Sequence, residues 1–205
     1  MKIVFAPNEV LSAPAKPVEK INSQVLKTIE QMKIALNSAK DPEGVGLAAP
    51  QIGVPLQIFI AKPNPAGKIM TFINPKIVEI EGLLQSFTRK RKVGADERSE
   101  GARLRAKRDK GGRKKKEVQK LEGCLSLKDI WGTVLRSPQV KVSFLDEKGQ
   151  QQTKVFKDFL ATIVQHEYDH LQGILFPKRV LEQKGKLYKS SKDEKGEDLF
   201  EEIEL

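Results

Sequence analysis

The sequence predicts an α+β fold in which mostly antiparallel sheets surround a central helix that carries the motif HExxH. Short runs of β-branched and aromatic residues alternate with turn residues, which is typical of antiparallel strands. Two other segments, one early and one late in the chain, have helical periodicity. A length of 205 residues fits one domain with its own core. We therefore expect a single domain over residues 1–205.

The first half of the chain predicts one helix and three strands. Between residues 21 and 36, apolar side chains recur at spacings of three and four, which places them on one face of a helix. Runs at 55–60 and 70–73 are rich in β-branched and aromatic residues, and residues 76–80 alternate between polar and apolar. We expect all three runs to be strands. The apolar helix positions are Ile21, Val25, Leu26, Ile29, Met32 and Leu36.

The second half predicts a hairpin followed by a helix. Residues 139–145 and 152–156 have the pattern of paired strands, with a turn at 146–149. Asp158 is expected to be the N-cap of a helix that extends to about Leu171, and Gly173 is placed to end it. The residues from 192 to 205 are strongly acidic, and we expect a frayed C-terminal tail there.

The positive charge of the chain is concentrated in one segment. The formal net charge is +10, and residues 85–120 hold 15 Lys and Arg against five Asp and Glu, which accounts for the whole excess. This segment has too few large apolar residues to offset the entropy of ordering it. We expect a disordered or extended insertion at 85–120, with some helix around 100–109.

Composition excludes several classes of protein. No apolar run approaches the roughly 20 residues that span a bilayer, so no membrane role is expected. The apolar run at the N-terminus is short and Pro7 interrupts it, which argues against a signal peptide. The single cysteine, Cys124, cannot form an internal disulfide, in agreement with a reducing compartment. A cytoplasmic protein is therefore expected.

The late helix carries the residues with the strongest chemical signal. Residues 166–170 read HEYDH, and the two histidines are the only ones in the chain. Residues four apart lie on one face of a helix, so His166 and His170 can bind one metal ion while Glu167 acts on a bound water. The alternative is a helix whose imidazoles are only hydrogen-bonded or solvated.

The sequence leaves more than one candidate for a third metal ligand. The metzincin pattern needs a further histidine where this chain has Phe176, so that class of protease is excluded. A thermolysin-like site needs a downstream glutamate, for which Glu182 is the nearest candidate. Cys124 is the remaining soft ligand, although a lone cysteine is often just a small buried side chain.

Three segments in order resemble the three signature motifs of the peptide deformylases: GVGLAAPQ at 44–51, EGCLS at 122–126 and QHEYDH at 165–170. The resemblance implies an α+β fold with Cys124, His166 and His170 as metal ligands and water as the fourth. It also implies one divalent metal ion, typically Fe²⁺, with Zn²⁺, Ni²⁺ or Co²⁺ as substitutes. A Cys/His/His set suits several metals, so the residues alone do not select one.

The resemblance implies a reaction, the removal of the formyl group from the formyl-methionine of a nascent peptide. Glu167 would take a proton from the attacking water and pass it to the departing nitrogen. The side-chain amide of Gln51 and the backbone N–H of Leu125 would stabilise the developing oxyanion. In the same family, positions matching Val45 and Gly46 pair with the substrate main chain.

Other positions bear on the methionine pocket and on the ligand loop. Leu160 and Ile163 match pocket-lining positions, whereas Phe159 replaces a common glycine and is expected to reshape the pocket. Lys128 follows the second motif where the family has an apolar residue and proline, so the loop there is expected to open differently. Glu122 and Arg136 match a pair expected to form a salt bridge beside the site.

The basic insertion at 85–120 supports two interpretations. It could contact ribosomal RNA and place the enzyme near emerging chains, or it could be a solvated loop attracted to the acidic tail. Two rival functions also stay open at this point. One is a zinc protease or amidase that uses the same helix motif, and the other is an RNA-binding module whose metal site is only structural.

Overall fold

The computed structural model describes residues 2–40, 43–64, 67–86, 121–194, 196 and 198–204. The described residues form two antiparallel sheets and four α-helices, which confirms the predicted α+β class. The helices are α1 (Glu9–Ser12), α2 (Ser23–Ser38), α3 (Asp158–Leu171) and α4 (Phe176–Glu182). The strands are β1 (Gly46–Ala48), β2 (Ile58–Ala61), β3 (Met70–Glu81), β4 (Glu122–Cys124), β5 (Leu127–Gly132), β6 (Gln139–Leu145), β7 (Gln151–Lys157), β8 (Leu187–Lys192) and β9 (Asp198–Ile203).

The larger sheet has the strand order β1-β2-β3-β6-β7. Its buried face is dominated by aromatic rings: Phe72 stacks on Phe59 at 4.3 Å between centroids and also contacts Phe144 and Phe156. The predicted hairpin is present as β6 and β7, which pair along their whole length. Because α3 packs on this sheet through residues such as Val164, the sheet provides the base on which the HExxH motif rests.

The two strands predicted at 70–73 and 76–80 are one strand, β3. Its pairing with β6 shifts register between Ile73 and Lys76 and again between Ile77 and Glu79. Pro75 lies in the first irregular stretch, where it has no N–H to give to a ladder. The prediction of a break was therefore wrong, because the irregularity bends the strand without ending it.

The early helix is confirmed as α2, which begins two residues later than predicted because the Asn22 side chain caps it by accepting from the Val25 N–H at 3.0 Å. Most of the predicted apolar face is buried, including Ile29, Met32 and Leu36, which are fully inaccessible. The exceptions are Ile21, which is partly buried before the helix begins, and Leu26, with 40% of its surface exposed.

The smaller sheet has the order β4-β5-β8-β9, and it corrects the expectation of a frayed tail. Strand β9 pairs with β8 from Asp198 to Ile203, so most of the acidic stretch is ordered. Glu201 and Asp198 lie opposite Lys189 and Lys192, and ion pairs join Lys192 to Asp198 and Lys186, just before β8, to Glu202. Composition indicated disorder there, but the strand pairing and these opposite charges stabilise a hairpin.

The late helix, α3, ends as predicted at Leu171, followed by Gly173 in the left-handed conformation at φ 69°. Its start differs from the prediction. The N-cap is Lys157, without a side-chain cap, and Asp158 is the first helical residue with φ 53°. The Asp158 N–H donates instead to the Pro138 carbonyl at 2.8 Å, because the chain passes directly from β7 into the helix.

The predicted insertion falls almost wholly outside the described residues, as does the helix expected around 100–109. At its start, Gln85 and Arg136 exchange backbone hydrogen bonds at 2.9 and 3.0 Å, which fixes the chain to the connection between β5 and β6. Within the described ranges, no helix is long and apolar enough to cross a membrane.

Candidate metal centre

Three possible ligands converge where α3 meets the connection between β4 and β5. The ligand atoms of Cys124, His166 and His170 all lie within 4.8 Å of one another, and the Cys124 Sγ is 3.2 Å from the His170 Nε2. The helix brings the two imidazoles to one face, and the tight turn after β4 brings in the thiol. Cys124 and His170 are buried, and His166 is partly buried.

The two imidazoles have different surroundings. The His166 Nδ1 lies 3.1 Å from the Glu122 Oε2, whereas the buried His170 Nδ1 has no hydrogen-bond partner among the described residues. Burial favours the neutral imidazole of His166, but hydrogen bonds to Cys124 and Glu122 raise its pKa well above the usual range. Burial, together with the charges of His166 and Arg136, lowers the pKa of His170. A soft thiol and two imidazoles at this spacing fit a divalent transition-metal ion.

A network of ion pairs lies next to His166 and holds its hydrogen-bond partner Glu122 in place. Arg136 donates to Glu122 through Nε at 2.9 Å and Nη2 at 3.0 Å, so the predicted salt bridge is confirmed. Its Nη1 donates to Asp169 at 2.6 Å, and Arg179 donates to the same carboxylate at 2.7 Å. Burial opposes ionisation of Glu122, but Arg136 and His166 lower the pKa of this carboxyl to about 2. Glu122 therefore stays an anion against His166.

The sequence did not predict the contributions of Asp169 and Arg179. Asp169 lies inside the HExxH motif and is only 5% exposed. Its sequence neighbours Glu167, His170 and Gln172 are polar, so the local pattern does not distinguish a buried carboxylate, which needs a cationic partner, from an exposed one. The identity of that partner depends on how α4 packs, which the local sequence does not reveal.

Glu167 is 4% exposed, and its Oε2 has no hydrogen-bond partner in the described part of the chain. Burial raises the pKa of Glu167 to about 7. The side chain lies against the backbone of Gly46, where any Cβ would collide with the Glu167 carboxylate. Gly46 therefore leaves the space that this carboxylate occupies, in addition to any role towards a substrate.

Gln51 is 2% exposed and its amide is held on both sides. Its Oε1 accepts from the Ala48 N–H at 2.8 Å, and its Nε2 donates to the Cys124 Sγ at 3.3 Å and to the Ser126 Oγ at 3.2 Å. Leu125 lies between Cys124 and Ser126 in the turn that joins β4 to β5. The structure therefore brings both predicted oxyanion donors beside the ligand cluster. Ser126, for which the sequence predicted no role, orients one of them.

The residues predicted to bind the substrate lie in two places, at the edge strand of the larger sheet and in the core beneath α3. Strand β1 is the end strand of the larger sheet, with Gly46 paired to Ala61 and the Val45 carbonyl accepting from the Lys62 N–H at 2.8 Å. Ile163 is 3% exposed and belongs to the core under the HExxH helix. Leu160 is partly buried and packs at the margin of that core.

An N-terminal segment joins two of the motif regions. The Val4 N–H donates to the Gln51 carbonyl at 2.8 Å, and the Ala6 N–H donates to the Ser126 carbonyl at 3.0 Å. The segment thus fixes the distance between the backbones that carry the two oxyanion candidates. Nothing in the sequence of these residues indicated this contact, because backbone hydrogen bonds leave no side-chain signature.

Comparisons with known proteins identify one family. The family model for polypeptide deformylase matches residues 1–186. A peptide deformylase of Borreliella burgdorferi is 33% identical over 180 residues, covering 86% of this chain and 85% of that protein. One from Pseudothermotoga lettingae is 35% identical over 175 residues, covering 85% and 80%.

Solved structures give the same result. A peptide deformylase of Synechococcus elongatus in complex with actinonin superposes with a TM-score of 0.65 at 32% identity, covering 86% of this chain and 76% of that one. The Thermotoga maritima peptide deformylase gives a TM-score of 0.65 at 28% identity, covering 86% and 95%.

Proposed function

Because the chain belongs to the polypeptide deformylase family, we propose that Cys124, His166 and His170 hold the metal ion on which its activity depends. The chain is a hydrolase that removes the N-terminal formyl group from nascent polypeptides. The observation that carries the ligand assignment is the convergence of one thiol and two imidazoles beside a buried carboxylate. When bound, the ion would polarise a carbonyl and lower the pKa of water. We propose Fe²⁺, with Zn²⁺, Ni²⁺ and Co²⁺ as functional substitutes.

Glu167 is the proposed general base and acid. A carboxyl whose pKa is near 7 can accept a proton from water and then release it at neutral pH. The leaving amine of the peptide needs that proton as the bond to the formyl carbon breaks. The Glu167 Oε2 has no hydrogen-bond partner among the described residues, and this supports the role because the oxygen is available to a water molecule.

Gln51 and Leu125 are the proposed donors to the formyl oxygen. The Gln51 Nε2 lies 3.3 Å from the Cys124 Sγ, so its amide protons are held next to the ligand set before substrate arrives. A donor fixed in advance stabilises a developing oxyanion at little reorganisation cost. The backbone N–H of Leu125, the residue that follows Cys124, is the proposed second donor.

The peptide substrate is proposed to pair with the end strand β1. Strand addition uses the main chain of Val45 and Gly46 for hydrogen bonds, which suits many peptide sequences. Leu160 and Ile163, together with Phe159, would contact the methionine side chain. The helix α3 then acts as the central element of the site, because it carries the two imidazoles, Glu167 and one wall of this pocket.

We further propose that residues 1–205 form one catalytic domain, with a basic insertion at 85–120 and an acidic stretch at 192–205. The charge of the insertion favours contact with ribosomal RNA in the cytoplasm, where formylated chains emerge. Co-sedimentation with ribosomes should weaken as salt rises and when residues 85–120 are deleted. Co-sedimentation that is unchanged by the deletion would refute the contact.

One experiment tests the site. Anaerobically prepared protein is assayed on a formyl-methionyl peptide and on the same peptide without the formyl group, while bound metal is quantified. We expect formate release only from the first peptide and no internal cleavage. Glu167→Gln should keep the metal and lose activity by at least about a hundredfold, at the scale of positioned proton transfer. Internal cleavage would favour the protease alternative.

A further inference from the structure

The C-terminal hairpin of β8 and β9 lies beyond the family match, which ends at residue 186. It extends the smaller sheet, because β8 pairs with β5 and β5 pairs with β4. Strand β4 ends at Cys124, the proposed thiolate ligand. The hairpin is thus two strands away from a metal ligand, within one hydrogen-bonded sheet.

Trp131 connects the hairpin to the ligand strand. Its indole N–H donates to the Ser190 Oγ at 3.0 Å, and its ring lies edge-on to Phe200 with 6.0 Å between centroids. The other side of the indole covers Gly123, where an added Cβ would approach the ring to 2.7 Å. The hairpin residues Ser190 and Phe200 hold the Trp131 indole in place. The indole in turn packs on Gly123, which directly precedes Cys124 in β4.

A second set of contacts leads from the hairpin to the same site. Leu187 and Ile203, one from each hairpin strand, pack in the apolar cluster that contains Cys124 and Phe176. The Phe176 ring in turn stacks on His166 with 6.2 Å between centroids. The hairpin therefore supports one ligand through the sheet and another through an aromatic ring.

We propose that the C-terminal hairpin is a positioning element for the metal site, with Trp131 as the residue that transmits its support to Cys124. The inference rests on the proposed ligand set. Outer residues that orient ligands typically change metal affinity by about 10–100-fold when removed. A hairpin that orients β4 should therefore affect metal retention more than it affects the stability of the fold.

The test compares Phe200→Ala with Leu199→Ala in the full chain. Both substitutions remove apolar surface from adjacent positions of β9, but Leu199 is 47% exposed, while Phe200 contacts Trp131. Protein loaded with Co²⁺ is used, because absorption from thiolate-to-cobalt charge transfer reports the Cys124 bond directly. Release of Co²⁺ to a chelator is timed, and thermal unfolding of the metal-free proteins is measured alongside. Ser190→Ala and Trp131→Phe serve as milder variants that keep the ring packing.

We expect Phe200→Ala to release Co²⁺ about tenfold faster than the wild type, at the lower end of effects from ligand-orienting residues. Ser190→Ala and Trp131→Phe should release it about threefold faster, below that range because they keep the ring packing. Leu199→Ala should match the wild type. Equal release rates for Phe200→Ala and Leu199→Ala would overturn the inference while leaving the ligand assignment intact. A wild-type protein without the thiolate absorption band would instead overturn the ligand assignment, and the inference with it.

Discussion

The two sheets support the same site by different means. The larger sheet carries a core of stacked and tilted phenylalanine rings, and it presents β1 and the helix α3. Among the described residues, the smaller sheet borders a cluster of five buried apolar side chains, Cys124 among them, and a network of buried charges. The larger sheet thus provides rigidity through packing, whereas the smaller one positions a proposed metal ligand with the help of ionic contacts and the added hairpin.

This difference predicts which substitutions affect the site most. A substitution in the phenylalanine core should reduce the stability of the whole domain. A substitution of equal size near the smaller sheet should in addition disturb the proposed ligand geometry, because Cys124 packs in the apolar cluster there. Three predictions test that contrast, in order of decreasing effect on the free energy of unfolding.

The largest effect is expected from Arg136→Met. The substitution leaves the carboxylates of Glu122 and Asp169 buried without their shared cation, and breaking a buried pair in this way costs about 3–5 kcal/mol. Urea denaturation measures the loss. Arg179→Met is the control, because this arginine is about a third exposed and its removal should cost about 1 kcal/mol or less. Equal losses for both variants would contradict the assigned importance of Arg136.

The second prediction uses two valines that are both fully buried, Val142 in the larger sheet and Val180 beside the smaller one. Each substitution to alanine should cost about 2 kcal/mol through lost burial and the cavity left behind. Only Val180→Ala should also speed release of bound metal, since Val180 packs in the cluster of Cys124. Denaturation curves and chelator-release rates separate the two effects. Faster metal release from both variants would contradict the proposal that only the smaller sheet positions the ligand.

The smallest effect concerns a partly exposed network on the larger sheet. Glu147 accepts from Thr71 at 2.6 Å and pairs with Lys33 at 2.9 Å. Although burial opposes it, these contacts lower the pKa of Glu147 below its usual value of 4.5. The carboxylate therefore stabilises the fold above pH 4.5, and this contribution disappears as the pH falls towards the lowered pKa.

Glu147→Gln should cost about 0.5 kcal/mol at pH 7, a small value because solvent screens the pair. The stability difference from the wild type should shrink as the pH falls below 4.5. Stability measured at pH 7 and at successively lower pH values checks the sign, and a difference that grows on acidification would contradict it. The metal-release rate should not change, since the network is separate from the ligand cluster.

The sequence predicted the elements whose side chains alternate or recur regularly. The β6–β7 hairpin and the extent of α3 to Leu171 agree with their patterns, because turn residues and a left-handed glycine mark their ends. The motif residues also converge as expected around Cys124. These features depend on local chemistry that a single stretch of sequence contains.

What the sequence did not predict depends on contacts between distant segments. Strand β9 was expected to fray because it is acidic, and its pairing with β8 supplies the opposite charges that composition alone does not show. The partners of Asp169 come from another helix and from the loop before β6. The expectation for Asp158 failed because β7 leads directly into α3, so Lys157 is the N-cap and Asp158 is already inside the helix with φ 53°.

The hydrogen bonds of Val4 and Ala6 have a practical consequence for work with this enzyme. A fusion tag or a proteolytic nick near the N-terminus would disturb the hydrogen bonds to the Gln51 and Ser126 carbonyls, and through them the proposed oxyanion donors, without changing any residue of the three motifs. Assays that compare preparations with different N-termini would then report differences in turnover that have nothing to do with metal content. Uniform N-termini are therefore a condition for comparing variants of this protein.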